Sequence, residues 1–178
     1  ISGKYKRRTF EVPRTFKARP TTDFAKENLF NVLTNLIDFE ECANVLDLFA
    51  GTGSISLELV SRGCGRVISV EREPSHHSFI YKVKEQLQES NWLPLRTDVF
   101  RYIEKCHESF DLIFADPPYA LPRLAELPDL ILNGGLLATD GLLVLEHGKE
   151  HSFAAHPHFM QERIYGSVHF SFFSLEAK

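Results

Sequence analysis

Four consecutive residues, Asp116, Pro117, Pro118 and Tyr119, carry the most specific chemistry in this chain. They directly follow residues 110–115, an apolar run that is typical of a buried strand. Because proline fixes φ and has no backbone N–H, the Asp116 carboxylate and the Pro117 carbonyl can both accept hydrogen bonds from a substrate, while Tyr119 offers a ring for stacking. This ledge suits a flat base with an amino group and predicts alkylation of an exocyclic amine.

A second motif upstream makes that interpretation more specific, because Asp, Pro and Tyr are also ordinary turn residues. Residues 44–58 have the pattern of a strand, a glycine turn and a helix. In such a turn Gly51 and Gly53 let a ligand approach the backbone closely, and the start of the helix supplies N–H donors. The two motifs together predict a nucleotide-like cofactor beside an amine acceptor.

The glycine turn is poorly suited to a pyrophosphate. Ser56 stands where the dinucleotide fingerprint has its third glycine, and the chain has no Gly-x-x-x-x-Gly-Lys phosphate loop. Carboxylates are present instead: Asp47 in the turn motif, Glu71 after the second predicted strand and Asp98 after the third. This favours a cationic cofactor without phosphate, and S-adenosylmethionine, with its sulfonium, ammonium and ribose hydroxyls, fits best.

Each of these residues has a predicted contact with that cofactor. Glu71 accepts from the ribose, Asp47 lies near the methionine end, and Asp98 accepts from the adenine amino group. Phe49 or Phe100 lines the adenine slot. The structural alternatives are a solvated strand end for Glu71, a helix N-cap for Asp98 and core positions for the aromatic rings. The full predicted set is Asp47, Phe49, Gly51, Thr52, Gly53, Glu71, Arg72, Asp98 and Val99.

Strand-like and helix-like patterns alternate from residue 44 onward and predict a parallel sheet covered by helices, with ligands at the carboxyl ends of its strands. The last two strand-like segments, joined by Gly166 and Ser167, predict an antiparallel pair at one sheet edge. Upstream, Thr22 or Asp23 is the predicted cap of a helix that docks on this core. The predicted strands are residues 45–49, 66–70, 93–97, 110–115, 142–146, 159–165 and 168–175, and the helices between them are residues 54–61, 74–89, 99–106 and 123–132.

Length and composition indicate one compact domain, since 178 residues with 43% hydrophobic content suffice for a single core. We divide it into a basic arm or hairpin over residues 1–20 and a main domain over residues 21–178. No apolar stretch approaches the ~18 residues of a membrane span, and no signal peptide is recognisable at the start. The three cysteines form no disulfide or zinc pattern, and no metal is predicted. We therefore expect a monomeric cytoplasmic protein.

Positive charge is concentrated at the beginning of the chain. The net charge is −4, yet residues 1–31 hold eight basic and only three acidic residues, interleaved with Tyr5, Phe10 and Phe16. Such a segment attracts a phosphate backbone with stackable bases, although a merely solvated tail has the same composition. The predicted RNA-binding residues are Lys4, Lys6, Arg7, Arg8, Arg19 and Lys26.

The chain resembles the small bacterial methyltransferases, the RsmD type, that modify the exocyclic N2 of one guanine in 16S ribosomal RNA. The resemblance covers nearly the whole chain, and the block at residues 19–31 is more specific than the Asp-Pro-Pro-aromatic tetrad, which adenine and glutamine methyltransferases share. It rests on residues 1–8, 19–31, 47–58, 70–71, 97–98 and 116–119. One departure is Tyr119, where relatives often have phenylalanine.

The resemblance implies a seven-stranded, Rossmann-like methyltransferase fold, mostly parallel with an antiparallel last strand, and a basic N-terminal hairpin for RNA. It also implies S-adenosylmethionine as methyl donor and 16S ribosomal RNA, or an assembling small ribosomal subunit, as partner. Three alternatives remain open at this point: methylation of another amine such as adenine N6 of DNA or RNA, a nicotinamide-dependent oxidoreductase, and a non-catalytic RNA-binding module.

Overall fold

A computed structural model gives the structure of residues 1–13 and 22–176. The strands are β1 Asn44–Leu48, β2 Arg66–Val70, β3 Trp92–Leu95, β4 Phe110–Ala115, β5 Leu137–His147, β6 Phe159–Tyr165 and β7 Val168–Phe173. The α-helices are α1 Asp23–Leu36, α2 Ser54–Ser61, α3 Pro74–Leu87, α4 Val99–Lys105 and α5 Leu127–Asn133. Short 3₁₀ turns occur at Gly3–Tyr5, Phe39–Glu41 and Leu124–Glu126.

The strands form one seven-stranded sheet in the order β3-β2-β1-β4-β5-β7-β6. β1 to β5 pair in parallel, and β7 lies antiparallel between β5 and β6. The predicted fold class, including the antiparallel last strand, is confirmed. Strand order reverses between β1 and β4, and this switch point is where open α/β sheets bind ligands.

Helices cover both faces of the sheet, which explains why the central strands are apolar with little alternation. On one face the fully buried Leu29, Leu59 and Ile80 bring α1, α2 and α3 into one core cluster with the sheet. On the other face Ile103 and Ile131 bring in α4 and α5. The helix α1 begins where predicted, since the Thr22 hydroxyl accepts a hydrogen bond from the Ala25 N–H at 3.2 Å.

Two predicted elements differ from the structure. The helix expected over residues 123–132 is split into a 3₁₀ turn, Leu124–Glu126, and α5. β5 begins at Leu137, before the predicted start at residue 142, because Leu137 pairs with Phe110 on β4 across a register shift. Thr139, Asp140 and Gly141 interrupt the apolar pattern and lie within this register shift, so the sequence does not predict the first part of β5.

The N-terminal segment requires a correction, because residues 1–13 contain no strand and so do not form the predicted hairpin. Its backbone N–H groups pair with side chains of α2 instead: Ser2 donates to the Glu58 carboxylate and Tyr5 donates to the Ser61 hydroxyl, both at 2.9 Å. Tyr5 and Phe10 are partly buried against the core. The segment thus packs on the main domain, and residues 14–20 of the predicted arm lie outside the described residues.

Among the described residues, no helix combines the length and apolar character needed to cross a bilayer.

Gly53 tests how tightly the glycine turn packs against α3. Its φ is +82°, and a Cβ built on it would lie 2.9 Å from Cγ1 of Ile80, a fully buried and stiff β-branched side chain. We expect Gly53→Ala to lower the free energy of unfolding by about 2–3 kcal/mol, through the left-handed backbone and the overpacking together. Urea denaturation measures the loss.

The matched control is Gly135→Ala, at a similar φ of +75° with no atom within 4 Å of the added Cβ. This control carries only the backbone term, about 1 kcal/mol. Equal losses for the two variants would contradict the proposed contact with Ile80.

Candidate active site

A cavity of about 610 Å³ opens at the carboxyl ends of the central strands, at the switch point of the sheet. It brings together the two motifs, which are about 70 residues apart in sequence. Its lining includes Asp47, Phe49, Gly51, Thr52, Glu71, Arg72, Asp98 and Val99 together with Asp116, Pro117, Pro118 and Tyr119. Of the predicted cofactor residues, Gly53 is outside this lining and forms the N-cap of α2.

The pairing of β1 with β4 sets the acceptor ledge against the glycine turn. Leu48 is the Cα partner of Ala115, and one residue further the Asp116 N–H donates to the Leu48 carbonyl at 3.2 Å. The ledge turns sharply after this bond, since the Pro118 carbonyl accepts from the Leu121 N–H at 2.9 Å. The Asp116 and Tyr119 side chains are partly exposed to the cavity.

Glu71 holds the glycine turn in place. One carboxylate oxygen accepts from the Gly51 N–H and the other from the Glu73 N–H, both at 2.8 Å. Because a carboxylate oxygen accepts more than one hydrogen bond, Glu71 keeps acceptor capacity for a ribose hydroxyl. Its predicted contact with the ribose is thus compatible with this bracing role.

Phe49 occupies an unusual backbone conformation at the end of β1. Its φ is +59°, in the left-handed region where non-glycine residues are uncommon. The ring lies edge-on to Phe100, with centroids 6.4 Å apart, and both rings line the cavity. The Arg123 guanidinium covers Phe100 at 4.3 Å from the ring centroid. The two rings form an apolar part of the cavity wall, which Asp98 also lines.

Asp98 has the structural role that was weighed as its alternative. Its Oδ2 accepts from the Arg101 N–H at 3.1 Å and caps α4. The same carboxyl group lines the cavity, as does Val99, which is buried at the first position of the helix. Capping uses Oδ2, and the other carboxylate oxygen can accept a further hydrogen bond. Contact between Asp98 and an adenine amine stays a prediction.

A buried hydrogen-bond relay below the cavity was not predicted from the sequence. The Ser56 hydroxyl donates to Asp47 at 2.5 Å and lies 2.6 Å from the Ser69 hydroxyl, which accepts from the Trp92 indole N–H at 2.8 Å. The relay crosses α2, β1, β2 and β3. The signals in the sequence were Ser56 at the third-glycine position and Ser69 within an apolar strand.

Burial is the main cause of an altered acidity at Asp47. It raises the pKa of this carboxyl to about 7, the charge of Glu71 adds to the rise, and hydrogen bonds from Ser56 oppose it. Asp47 is 1% exposed and still borders the cavity. The group is therefore poised to change charge near neutral pH when a cation arrives.

The predicted RNA-binding residues differ in what they contact. Lys4 pairs with Glu89, which raises the Lys4 pKa, and its side chain stays 58% exposed. Lys6 and Arg7 are exposed, and Arg8 lies over the Phe10 ring, 5.5 Å from the centroid. Arg19 lies outside the described residues.

Lys26 lies in a different environment from the other basic residues. Its ammonium is 3.8 Å from the carboxylate of Glu58, a residue that is 4% exposed, and burial lowers the Lys26 pKa. The Arg62 Nε also contacts Glu58, at 2.8 Å. Lys26 thus helps to neutralise a buried acid. Its contact with RNA stays a prediction.

Tyr119 reaches from the ledge to a residue that sequence reasoning missed. Its hydroxyl donates to Oε2 of Glu146 at 2.8 Å, and Glu146 is 1% exposed near the end of β5. The residue is visible in the sequence only as an acid at the end of an apolar strand. This hydrogen bond connects the Tyr119 side chain to β5.

A histidine-rich group lies on the outer strands. His147 on β5, Glu162 on β6 and His169 on β7 have ligand-type atoms within 4.8 Å of one another. His169 contacts Glu162 at 3.0 Å, and the His147 Nε2 contacts the Ser171 hydroxyl at 2.7 Å. These residues form a hydrogen-bonded network.

Known proteins are similar to this chain in sequence and in fold. Ribosomal RNA small subunit methyltransferase D of Escherichia coli K12 is 28% identical over 181 residues, which cover 100% of this chain and 90% of that protein. Its counterpart in Buchnera aphidicola subsp. Baizongia pistaciae is 30% identical over 146 residues, covering 82% and 74%. The structure of yhhF, a methyltransferase candidate from Escherichia coli, superposes with a TM-score of 0.86 at 27% identity, covering 100% and 97%.

The sequence model of one protein family, described as Conserved hypothetical protein 95, matches residues 1–174. That range includes the glycine turn, the proline ledge and all seven strands. The chain therefore belongs to the Conserved hypothetical protein 95 family, the RsmD family that its motifs resemble.

Proposed function

We propose that this protein uses S-adenosylmethionine to methylate the exocyclic N2 amine of a guanine in small-subunit ribosomal RNA. One observation carries the proposal: the ledge Asp116–Tyr119 and the carboxylates Asp47 and Glu71 line one cavity at the switch point of the sheet. The names of the relatives, small-subunit ribosomal RNA methyltransferases, support the substrate class.

The cavity residues fit this cofactor better than a dinucleotide. Asp47, Glu71 and Asp98 place carboxylates along one side, which favours a cation and disfavours phosphate. In the proposed arrangement Asp47 lies near the methionine ammonium, Glu71 accepts from the ribose, and Asp98 accepts from the adenine amine. Phe49 or Phe100 lines the adenine slot. When bound there, S-adenosylmethionine supplies a methyl group that its sulfonium makes electrophilic.

Asp116 and Pro117 prepare the acceptor. The lone pair of an exocyclic guanine amine is delocalised into the ring, so the amine must be held in line with the methyl group and made more pyramidal. Hydrogen bonds from its two N–H groups to the Asp116 carboxylate and the Pro117 carbonyl do both, and they disperse the positive charge that develops on nitrogen. The nitrogen gains a methyl group and releases one proton, either to Asp116 or to water.

Tyr119 provides the surface for the base. A guanine that reaches the cavity must first leave its stack in the RNA, which costs a few kcal/mol. Stacking on an aromatic ring returns about 1–3 kcal/mol. Lys6, Arg7 and Arg8, which are not enclosed by the fold, are available to contact phosphates of the flanking RNA.

The direct test is product analysis. Purified protein is incubated with labelled S-adenosylmethionine and small subunits that lack the modification, and the nucleosides are identified by mass spectrometry. The expected product is N2-methylguanosine. Recovery of N6-methyladenosine would replace this proposal by the adenine alternative, which uses the same amine-acceptor geometry.

Asp116→Ala is expected to reduce single-turnover methylation by at least about 100-fold, because the amine loses its charged acceptor. The dissociation constant for S-adenosylmethionine, measured by calorimetry, should change little. Asp140→Ala, which removes an exposed carboxylate on β5, is the control and should keep the wild-type rate. Near-wild-type turnover by Asp116→Ala would show that the acceptor is misassigned.

Asp116→Asn separates the two roles left open for this carboxylate. The amide oxygen still accepts a hydrogen bond, but it cannot take the proton. A rate close to that of Asp116→Ala indicates proton transfer to Asp116. A rate much closer to the wild type indicates stabilisation and positioning alone.

The double variant Arg7→Gln, Arg8→Gln is expected to weaken RNA binding and to flatten its salt dependence. The logarithmic salt slope should fall by about one for each arginine that pairs with a phosphate in the wild-type complex. Filter binding at several salt concentrations measures this slope. Arg163→Gln, which removes an exposed charge on β6, is the control and should leave the salt slope unchanged. If the double variant has the same salt slope as the wild-type protein, Arg7 and Arg8 are excluded as phosphate contacts.

Asp47 gives cofactor affinity a pH dependence. Burial raises the pKa of this carboxyl to about 7 in the unliganded protein. Because the methionine ammonium is attracted to the ionised form, affinity should rise with pH and level off above that pKa. Asp47→Asn should weaken binding and remove the dependence, as measured by calorimetric titration at several pH values.

The same raised pKa affects stability in the opposite direction. The unfolded chain releases the Asp47 proton near the ordinary value of 3.8, whereas the folded protein retains it up to about 7. The contribution of Asp47 to the free energy of unfolding therefore falls as pH rises between these values and is constant above them. Asp47→Asn should flatten the profile in urea denaturation, and an unaltered profile would contradict the raised pKa.

A further inference from the structure

The ring of Tyr119 is held at its outer end. Its hydroxyl donates to Oε2 of Glu146 at 2.8 Å. Because this hydrogen bond lies at the far end of the side chain, it restricts the directions that the ring can take.

Glu146 is itself fixed by the sheet. On β5 it follows Leu145, the Cα partner of Ala115 on β4, and it is the Cα partner of Phe170 on β7. β4 ends at Ala115, whereas β5 continues to His147. The end of β5 therefore extends past β4, alongside the proline ledge, and its pairing with β7 fixes Glu146 there.

Burial separates Glu146 from the cavity itself. The residue is 1% exposed, and it is absent from the residues that line the cavity, whereas Tyr119 is among them. A buried carboxylate costs folding free energy that an apolar side chain at the same position would avoid. Its hydrogen bond to the hydroxyl of a cavity residue gives this costly group a function at the site.

We propose that Glu146 is a positioning residue for the transfer reaction: through the Tyr119 hydroxyl it fixes the plane of the ring on which the acceptor base stacks. This inference rests on the proposed function of the cavity. A ring that is already oriented holds the base in line with the methyl group without a further loss of side-chain freedom, so the effect falls on the transfer step.

The test compares Tyr119→Phe, Glu146→Ala and Glu146→Gln in single-turnover methylation of unmodified small subunits at saturating substrate. We expect Tyr119→Phe and Glu146→Ala each to lower the rate about tenfold, with the S-adenosylmethionine dissociation constant unchanged. Glu146→Gln should keep most of the rate, because its amide oxygen accepts the same hydrogen bond. The double variant Tyr119→Phe, Glu146→Ala should be no slower than either single variant, since each substitution removes the same hydrogen bond.

Tyr81→Phe is the matched control, because Tyr81 on α3 is 49% exposed and its hydroxyl removal should leave the rate unchanged. Tyr119→Phe removes the same hydrogen bond and leaves Glu146 in place, so it serves if Glu146 variants do not fold.

Full activity of Tyr119→Phe, or equal rate reductions for Glu146→Ala and Glu146→Gln, would each overturn the positioning role. These outcomes are distinct from failure of the proposed function. If Asp116→Ala is inactive while these variants turn over at the wild-type rate, only the inference about Glu146 fails. If no methylated nucleoside is formed by the wild-type protein, the proposed function fails first.

Discussion

The parallel pairing of β1 with β4 is the constraint on which the site depends. The hydrogen bond from the Asp116 N–H to the Leu48 carbonyl continues this ladder beyond the last residue of β4. It places the acceptor ledge beside the glycine turn, whose own shape is set by Glu71 from the next strand. Because side chains alternate along a strand, a slip of one residue in this pairing would turn Asp116 to the opposite face.

Most of the fold could be predicted from the sequence because the local patterns agree with the tertiary structure. α2 occupies residues 54–61 and β4 residues 110–115, as their apolar spacing and flanking residues indicate. The early start of β5 could not be predicted, because Thr139, Asp140 and Gly141 interrupt the apolar pattern, and Leu137 joins the strand through its pairing with Phe110. The hairpin expected at the start of the chain has no strand within residues 1–13, where the Ser2 and Tyr5 N–H groups donate to side chains of α2.

The same distinction between local and long-range interactions applies to the site. The cofactor and acceptor residues were predicted, because each lies in one of the two motifs or just after a predicted strand, and twelve of the thirteen line the cavity. The partners of these residues were not predicted, because hydrogen bonds join positions that are distant in sequence. Ser69 is 13 residues from Ser56, and Glu146 is 27 residues from Tyr119. Only the folded sheet brings these pairs together.

The relay below the cavity ends at Trp92, the single tryptophan of the chain, which is 1% exposed. Indole emission responds to nearby charge and to hydrogen bonding at its nitrogen, and here that nitrogen connects through two hydroxyls to Asp47. Tryptophan emission of this protein therefore originates at one buried site that two serine hydroxyls connect to Asp47, a residue of the cavity wall. In the proposed complex, where Asp47 lies near the methionine ammonium, Trp92 is an intrinsic optical probe of cofactor binding.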